Sequence, residues 1–128
     1  MKEVASLLRQ DPNVVFAYAH GSFLKAEHFG DLDVAVYLSS DITSRREIET
    51  SLSLTAHLSR ELQLPVDVRP LNSATLGFCY DAIQGGRLLT SSNEPLRVEY
   101  VKQILFQYFD FRPVLKRSVR QLLAKKKR

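Results

Sequence analysis

Apolar residues along the chain change their spacing several times, and each change predicts an element. Residues 2–9 place Val4, Leu7 and Leu8 at helical offsets, and Asp11-Pro12-Asn13 then stops the helix. Val14–Ala19 is β-branched, aromatic and small, which predicts a strand ending at His20-Gly21-Ser22, where a turn or short helix should begin. Asp31–Leu38 alternates strictly, so Leu32, Val34, Val36 and Leu38 share one face of a strand and Asp31, Asp33, Ala35 and Tyr37 the other. A long amphipathic helix is expected over Ser44–Leu64, carrying Ile48, Leu52, Leu54, Ala56, Leu58 and Leu62, with Thr43 or Ser44 as N-cap and Glu47 placed for a capping box from Ser44. Pro65 ends it.

Val66–Arg69 alternates as a third strand, and Asn72 or Ser73 should cap a further helix reaching about Ile83. Gly85-Gly86 breaks that helix, and Arg87–Thr90 is a short strand candidate. From Pro95 the chain reads as helix almost to its end, with a kink or split expected at Pro113. Helices and strands thus alternate, which predicts an α/β (α+β) fold: a mixed sheet of about four strands flanked by helices. In the last helix Val101, Ile104, Leu105 and Tyr108 should pack on the sheet, while Phe106 and Phe109 fall off that stripe and suit a partner surface.

Composition adds bounds. At 128 residues one domain is expected over 1–128, with a terminal helix over about 95–123 and a basic tail at 124–128. A single cysteine, Cys79, excludes an internal disulfide and reads as a small buried residue. No run approaches the roughly 18 apolar residues of a membrane helix, so no membrane partner and a cytoplasmic location are the expectations. The net charge of +4 changes meaning once located: residues 115–128 hold seven Lys/Arg and no acid, leaving eleven basic against fourteen acidic residues upstream. A basic helix end on a mildly acidic body does not predict direct nucleic-acid binding.

Candidate chemistry sits in the polar positions of the strands. Asp31 and Asp33 point to one face and can share cations; magnesium, which takes hard oxygen ligands and substrate phosphates, is the natural one. Asp67 is a third acid, flanked by valines in another strand, where acids are disfavoured. Gly21-Ser22, at a strand-to-helix turn, can offer backbone N–H groups and a hydroxyl to a triphosphate, or serve as an ordinary turn and N-cap. His20 could contact phosphate but is expected to be satisfied by backbone. Lys25 and Arg69 could neutralise phosphate or pair with the acids. No His/Cys spacing suggests zinc.

In order along the chain, GSFLKAEHFGDLDVAVY and then PVDVRPL resemble the signature of the DNA polymerase β-like nucleotidyltransferase superfamily. The match continues through GRLL and the terminal helix with Arg97, Glu99 and Tyr108, which is similar to the small MntA-like antitoxins of HEPN/MNT toxin–antitoxin pairs. That resemblance implies the polymerase β-like fold, triphosphate binding by Gly21 and Ser22 with Lys25 nearby, and metal ligation by Asp31, Asp33 and Asp67, with Asp67 also the general base. It implies two magnesium ions, ATP as donor, and transfer of AMP to a hydroxyl, expected to be a tyrosine, of a cognate HEPN ribonuclease toxin. Two other functions fit the same residues: an antitoxin that acts by binding alone, and a nucleotidyltransferase for small molecules of the aminoglycoside type. Eight residues separate Ser22 from Asp31, fewer than in the antitoxin pattern, and Phe23 and Gly30 stand where a basic residue and serine are usual.

Overall fold

The computed structural model describes residues 2–20, 32–39 and 41–126, with side chains through Asp110. The turn expected after His20, and with it Gly21, Ser22, Lys25 and Asp31, lies outside the described residues. Four strands form one mixed sheet in the order β3-β2-β1-β4: β1 (Val14–His20), β2 (Leu32–Leu38), β3 (Val66–Pro70) and β4 (Arg87–Ser91). β1 pairs antiparallel with both β2 and β4, whereas β2 and β3 run parallel. A parallel pair needs a long crossover, here supplied by the helix Ser44–Leu62.

Both faces of the sheet are covered, as its pattern requires. Leu32, Val34, Val36 and Leu38 project to one side, where they pack with Ala17, Ala19, Val66 and Val68 against α1 (Lys2–Arg9) and α2 (Ser44–Leu62). Ala35 and Tyr37 project to the other side with Phe16 and Tyr18, beneath α3 (Leu76–Gly85) and α4 (Glu94–Lys126). Tyr37 stacks on Phe16 at 4.9 Å between ring centroids. Among the described residues no helix is long and apolar enough to cross a membrane.

Thr43 is one of the two caps expected for α2, whereas the capping box expected from Ser44 does not form and the cap of α3 moves, in both cases where a tertiary bond holds the side chain concerned. Thr43 caps α2, its hydroxyl accepting from Arg46 N at 3.2 Å, which moves Glu47 one position too far along for a capping box. Glu47 is instead buried and accepts a 2.5 Å bond from Ser73 Oγ. With Ser73 so engaged and Asn72 bonded to both Leu38 N and Leu38 O at 2.9 Å, Thr75 becomes the cap of α3. Ile48 and Leu52 also depart from expectation, being 60% and 65% exposed. They lie about 120° and 160° around the helix from Leu54, off the buried stripe of Glu47, Thr50, Ser51, Leu54 and Leu58.

β3 is an edge strand, and α2 occupies its outer N–H groups. Val66 N donates to Ser59 Oγ at 3.0 Å and Val68 N to Thr55 Oγ1 at 2.9 Å, so two hydroxyls one helical turn apart stand in for a neighbouring strand. On the opposite edge, Ser92 N donates to Val15 O at 2.8 Å where β4 ends.

Asn93 caps α4 by accepting from Leu96 N, and the helix runs through Pro113 to Lys126 instead of splitting. Loss of one hydrogen bond at a proline disturbs a helix without obliging it to stop. Arg97 binds Glu94 in the first turn and donates to Tyr18 OH at 2.8 Å, tying α4 to β1. Ile104 is buried and Val101, Leu105 and Tyr108 are half-buried, whereas Phe106 is 71% and Phe109 52% exposed.

Gly86 permits the closest approach in this arrangement. A Cβ there would lie 2.0 Å from Ala82 O and 2.8 Å from Ala19 O, between the end of α3 and the end of β1. Its backbone is ordinary extended chain (φ −94°), so contact rather than conformational freedom selects glycine. Gly86→Ala should therefore destabilise by about 2–3 kcal/mol, since backbone atoms must move to admit the methyl. Gly85, with open space around it, should accept alanine without loss. Thermal denaturation of the two variants checks the account, and equal melting temperatures would refute it.

Candidate functional site

The sheet ends on one side in polar residues, and its register brings them abreast. His20, last in β1, pairs with Asp33 on β2, and Asp33 pairs with Asp67 on β3. Residues in register on neighbouring strands present their side chains to the same face, here the face covered by α3 and α4. Asp33 and Asp67, predicted from sequence to act together, are thus direct neighbours across a strand pair. Asp31, the third predicted ligand, lies outside the described residues, as do Gly21, Ser22 and Lys25.

Arg69, two residues along β3, shares this face. Its Nε donates to Asp67 Oδ2 at 2.8 Å, and its guanidinium carbon stands 5.9 Å from the centroid of Phe78. Of the two roles left open for Arg69, the geometry shows pairing with the acid. The pair is exposed, with Arg69 63% and Asp67 45% accessible, so solvent screens it and its contribution to stability is small. Phe78 is held in the first turn of α3 by the Thr75 cap and meets His20 edge-on at 5.1 Å, with the rings 85° apart. His20, Phe78, Arg69 and Asp67 therefore follow one another in contact around the site.

The expectation for His20 is a ring satisfied by backbone; its Nε2 is buried, and no group among the described residues hydrogen-bonds it. Burial lowers the pKa of the ring below its usual value, aided by Arg69 and opposed by the carboxylates of Asp33, Asp67 and Asp81. That balance favours the neutral imidazole.

Asp33 and Asp67 offer hard oxygen donors on one face, and no side-chain hydrogen bond occupies Asp33 among the described residues, a donor set that fits magnesium. Asp67 can lend its free oxygen while Arg69 holds the other. No group of three His, Cys, Asp or Glu close enough to hold a metal occurs among the described residues, so two carboxylates are what this part of the chain contributes.

Beside Asp67 an open groove of about 360 Å³ runs between the end of β3 and the start of α3, lined by Arg69, Pro70, Ser73, Ala74, Thr75 and Phe78. Sequence reading did not single out Phe78. The available signal was an aromatic three residues after Thr75, in the first turn of a helix that follows the third acidic strand.

The family model described as Polymerase beta, Nucleotidyltransferase matches residues 2–95, a stretch that includes every strand and each acid of the site. The chain belongs to this nucleotidyltransferase family. Among solved structures, its fold is similar to a chain of a toxin–antitoxin structure with AMP-PNP, at 21% identity and a TM-score of 0.72, covering 95% of this chain and 98% of that one. It is similar also to a chain of the complex between a tri-AMPylated Shewanella oneidensis HEPN toxin and an MNT antitoxin, at 21% identity and a TM-score of 0.67, covering 96% and 99%. A third is the MntA–HepT toxin–antitoxin in a variant with two aspartates, two positions apart, changed to glutamate; identity is 20%, the TM-score 0.72 and coverage 94% and 96%. At these identities the likeness is one of fold. No curated protein matches the chain in sequence.

In this nucleotidyltransferase the rest of the molecule braces the row of polar residues. Arg97 and Tyr18 lock α4 to β1 two residues before His20, and Gly86 lets α3 close against Ala19. Tyr100 fills the floor between Phe16 and Tyr37, with centroids at 5.4 and 5.0 Å, and its burial raises its pKa, so the hydroxyl stays neutral.

Proposed function

We propose that this chain is the antitoxin nucleotidyltransferase of a HEPN/MNT pair, moving AMP from ATP to a tyrosine hydroxyl of its cognate HEPN ribonuclease toxin and thereby neutralising it. The observation that carries the reading is the pairing of Asp33 with Asp67 on adjacent parallel strands, abreast of the β1 end that leads into Gly21-Ser22, in a chain of the nucleotidyltransferase family. Resemblance to structures that contain AMP-PNP and an AMPylated HEPN toxin supports the choice of donor and acceptor.

In this reading Gly21 and Ser22 hold the triphosphate, with Lys25 beside it, and Asp31, Asp33 and Asp67 hold magnesium, expected as two ions. Magnesium supplies charge neutralisation at the phosphates and lowers the cost of ionising the acceptor. The chain supplies position, which is most of what phosphoryl-type transfer needs. The phenolic oxygen attacks the α-phosphorus while its proton passes to the Asp67 carboxylate. The bond from the α-phosphorus to the bridging oxygen breaks, and pyrophosphate leaves. Arg69 holds Oδ2 of Asp67, so in this reading Oδ1 both meets the ion and takes the proton. Residues 1–128 act in this as a single nucleotidyltransferase unit.

The toxin contact is assigned to α4. About Ile104, the residues Arg97, Tyr100 and Tyr108 lie within roughly 40° on the inward side, whereas Val98, Phe109 and Phe106 span roughly 120° to 200°, the opposite side. Val98, Phe106 and Phe109 are 43%, 71% and 52% exposed. A helix with two apolar faces buries the second in a partner.

Two experiments test the reading. With labelled ATP and the cognate HEPN toxin of this proposal, wild type should label the toxin, and Asp33→Ala should keep fold and toxin binding while losing transfer, because the removed group is half-buried and faces the site. Equal labelling by the variant would rule out the carboxylate mechanism, and an unlabelled but fully neutralised toxin would establish an antitoxin that acts by binding. Phe106→Ser should leave the melting temperature of the free protein within about 1–2 °C, as expected for an exposed site, and weaken the complex about tenfold or more. A large loss of stability in the free protein would place Phe106 in the core and end the interface assignment.

A further inference from the structure

The proposed function assigns neither triphosphate nor metal to the groove beside Asp67. The site is ordered across the sheet: the β1 end leading to Gly21-Ser22 lies on one side, Asp33 in the middle, Asp67 on the outer strand, and the groove beyond Asp67. A donor anchored at β1 and reacting near the two aspartates leaves the groove for the other reactant.

We infer that this groove is the acceptor site, and that Arg69 and Phe78 form a platform for the aromatic ring of the tyrosine that receives AMP. The inference rests on the transfer reading above and names the part of the site that selects its substrate. The guanidinium of Arg69 stands over Phe78 and is anchored at Nε by Asp67, so its planar group is fixed rather than free to swing. Arginine stacks on aromatic rings as well as pairing with carboxylates, and at 63% exposure this one leaves room for a second ring. A tyrosine laid along Arg69 and Phe78 would direct its hydroxyl toward Asp67, the carboxylate that takes its proton.

The same groove is poorly made for a nucleobase. Reading a base requires free donors and acceptors placed at its edges. Here Ser73 Oγ gives its hydrogen to Glu47 at 2.5 Å and Thr75 Oγ1 accepts from Phe78 N at 3.3 Å, which leaves the Thr75 O–H and the outer N–H groups of Arg69 as side-chain donors, with no side-chain amide or carboxylate among the described lining residues to read a base edge. Pro70, Ala74 and Phe78 make the remaining walls apolar. At about 360 Å³ the groove is at the small end of ligand sites, enough for one aromatic side chain, and it is open, so the backbone bearing that side chain can stay outside.

Two substitutions separate this role from others. Phe78→Leu keeps most of the volume and removes the ring; Arg69→Lys, at an exposed position, keeps the cation beside Asp67 and removes the planar face. Initial rates are measured with labelled ATP and the cognate HEPN toxin of the proposed function, varying each substrate in turn. Each variant should raise the KM for the toxin by about tenfold and leave the KM for ATP within about twofold of wild type; kcat should hold within about twofold in Phe78→Leu, the pattern of lost acceptor binding, whereas Arg69→Lys, which changes the group that holds Asp67, should lower it as well. A rise in the KM for ATP, or an altered preference among the four nucleoside triphosphates, would make the groove a base site and overturn the inference. Unchanged constants in Arg69→Lys, whose fold is not at risk, would overturn it as well. Failure of wild type to label the toxin under the same conditions would instead sink the transfer reading, and the acceptor assignment with it.

Discussion

Everything at the active end depends on how β3 is held. Among the described residues it has only β2 as a neighbouring strand, and a slip of one residue would turn Asp67 to the opposite face, under α2, and expose Val66 or Val68. Two kinds of contact oppose the slip. Val66 and Val68 are buried among the apolar residues of β2 and α2, and their N–H groups are taken by Ser59 and Thr55. Each such bond is worth about 0.5–1.5 kcal/mol net, but a buried N–H left unpaired by a slipped register would cost about 1–3 kcal/mol, so the alternatives are penalised more than the native pairing is rewarded. One helix thus decides that Asp67 stands beside Asp33.

Placing carboxylates together needs compensation, and this chain supplies it at the exposed end of the sheet. Arg69 neutralises Asp67 without burying the pair, and the neutral imidazole of His20 adds no charge of its own. The site can then remain polar and open while the sheet beneath it is packed on both faces. Phe16, Tyr37 and Tyr100 form that floor, and Arg97 fixes the helix that lies over it. Rigid support under an accessible row of acids suits a reaction that depends on position and charge more than on covalent help from the protein.

Much of this was legible in the sequence because β-structure writes itself with a period of two. The alternation of Leu32, Val34, Val36 and Leu38 placed Asp33 on the polar face, and valines around Asp67 did the same on β3. Neither pattern could show that the strands are neighbours in parallel, because pairing depends on contacts far apart along the chain. The cap of α3 was misassigned for a similar reason: Ser73 and Asn72 are good local caps, but Glu47 and Leu38 compete for their side chains across 26 and 34 residues. Ile48 and Leu52 looked like core because helical offsets alone do not reveal that a helix will bury Glu47, Thr50 and Ser51 instead. Phe78 escaped notice because an aromatic in a first helical turn is common, and only its contacts with His20 and Arg69 distinguish it.

The central claim, that Asp33 and Asp67 form one site because their strands pair in register, is tested most directly by a double-substitution cycle on ligand-induced stability. Wild type, Asp33→Asn, Asp67→Asn and the double variant are melted with and without magnesium and ATP. At a hundred times the dissociation constant, the ligand should stabilise wild type by about 2.7 kcal/mol. If both carboxylates serve one site, either single change removes most of that gain and the double variant loses little more, a strongly non-additive cycle. Losses that simply add, or single variants that keep the full gain, would show that the two aspartates act apart and would contradict the account.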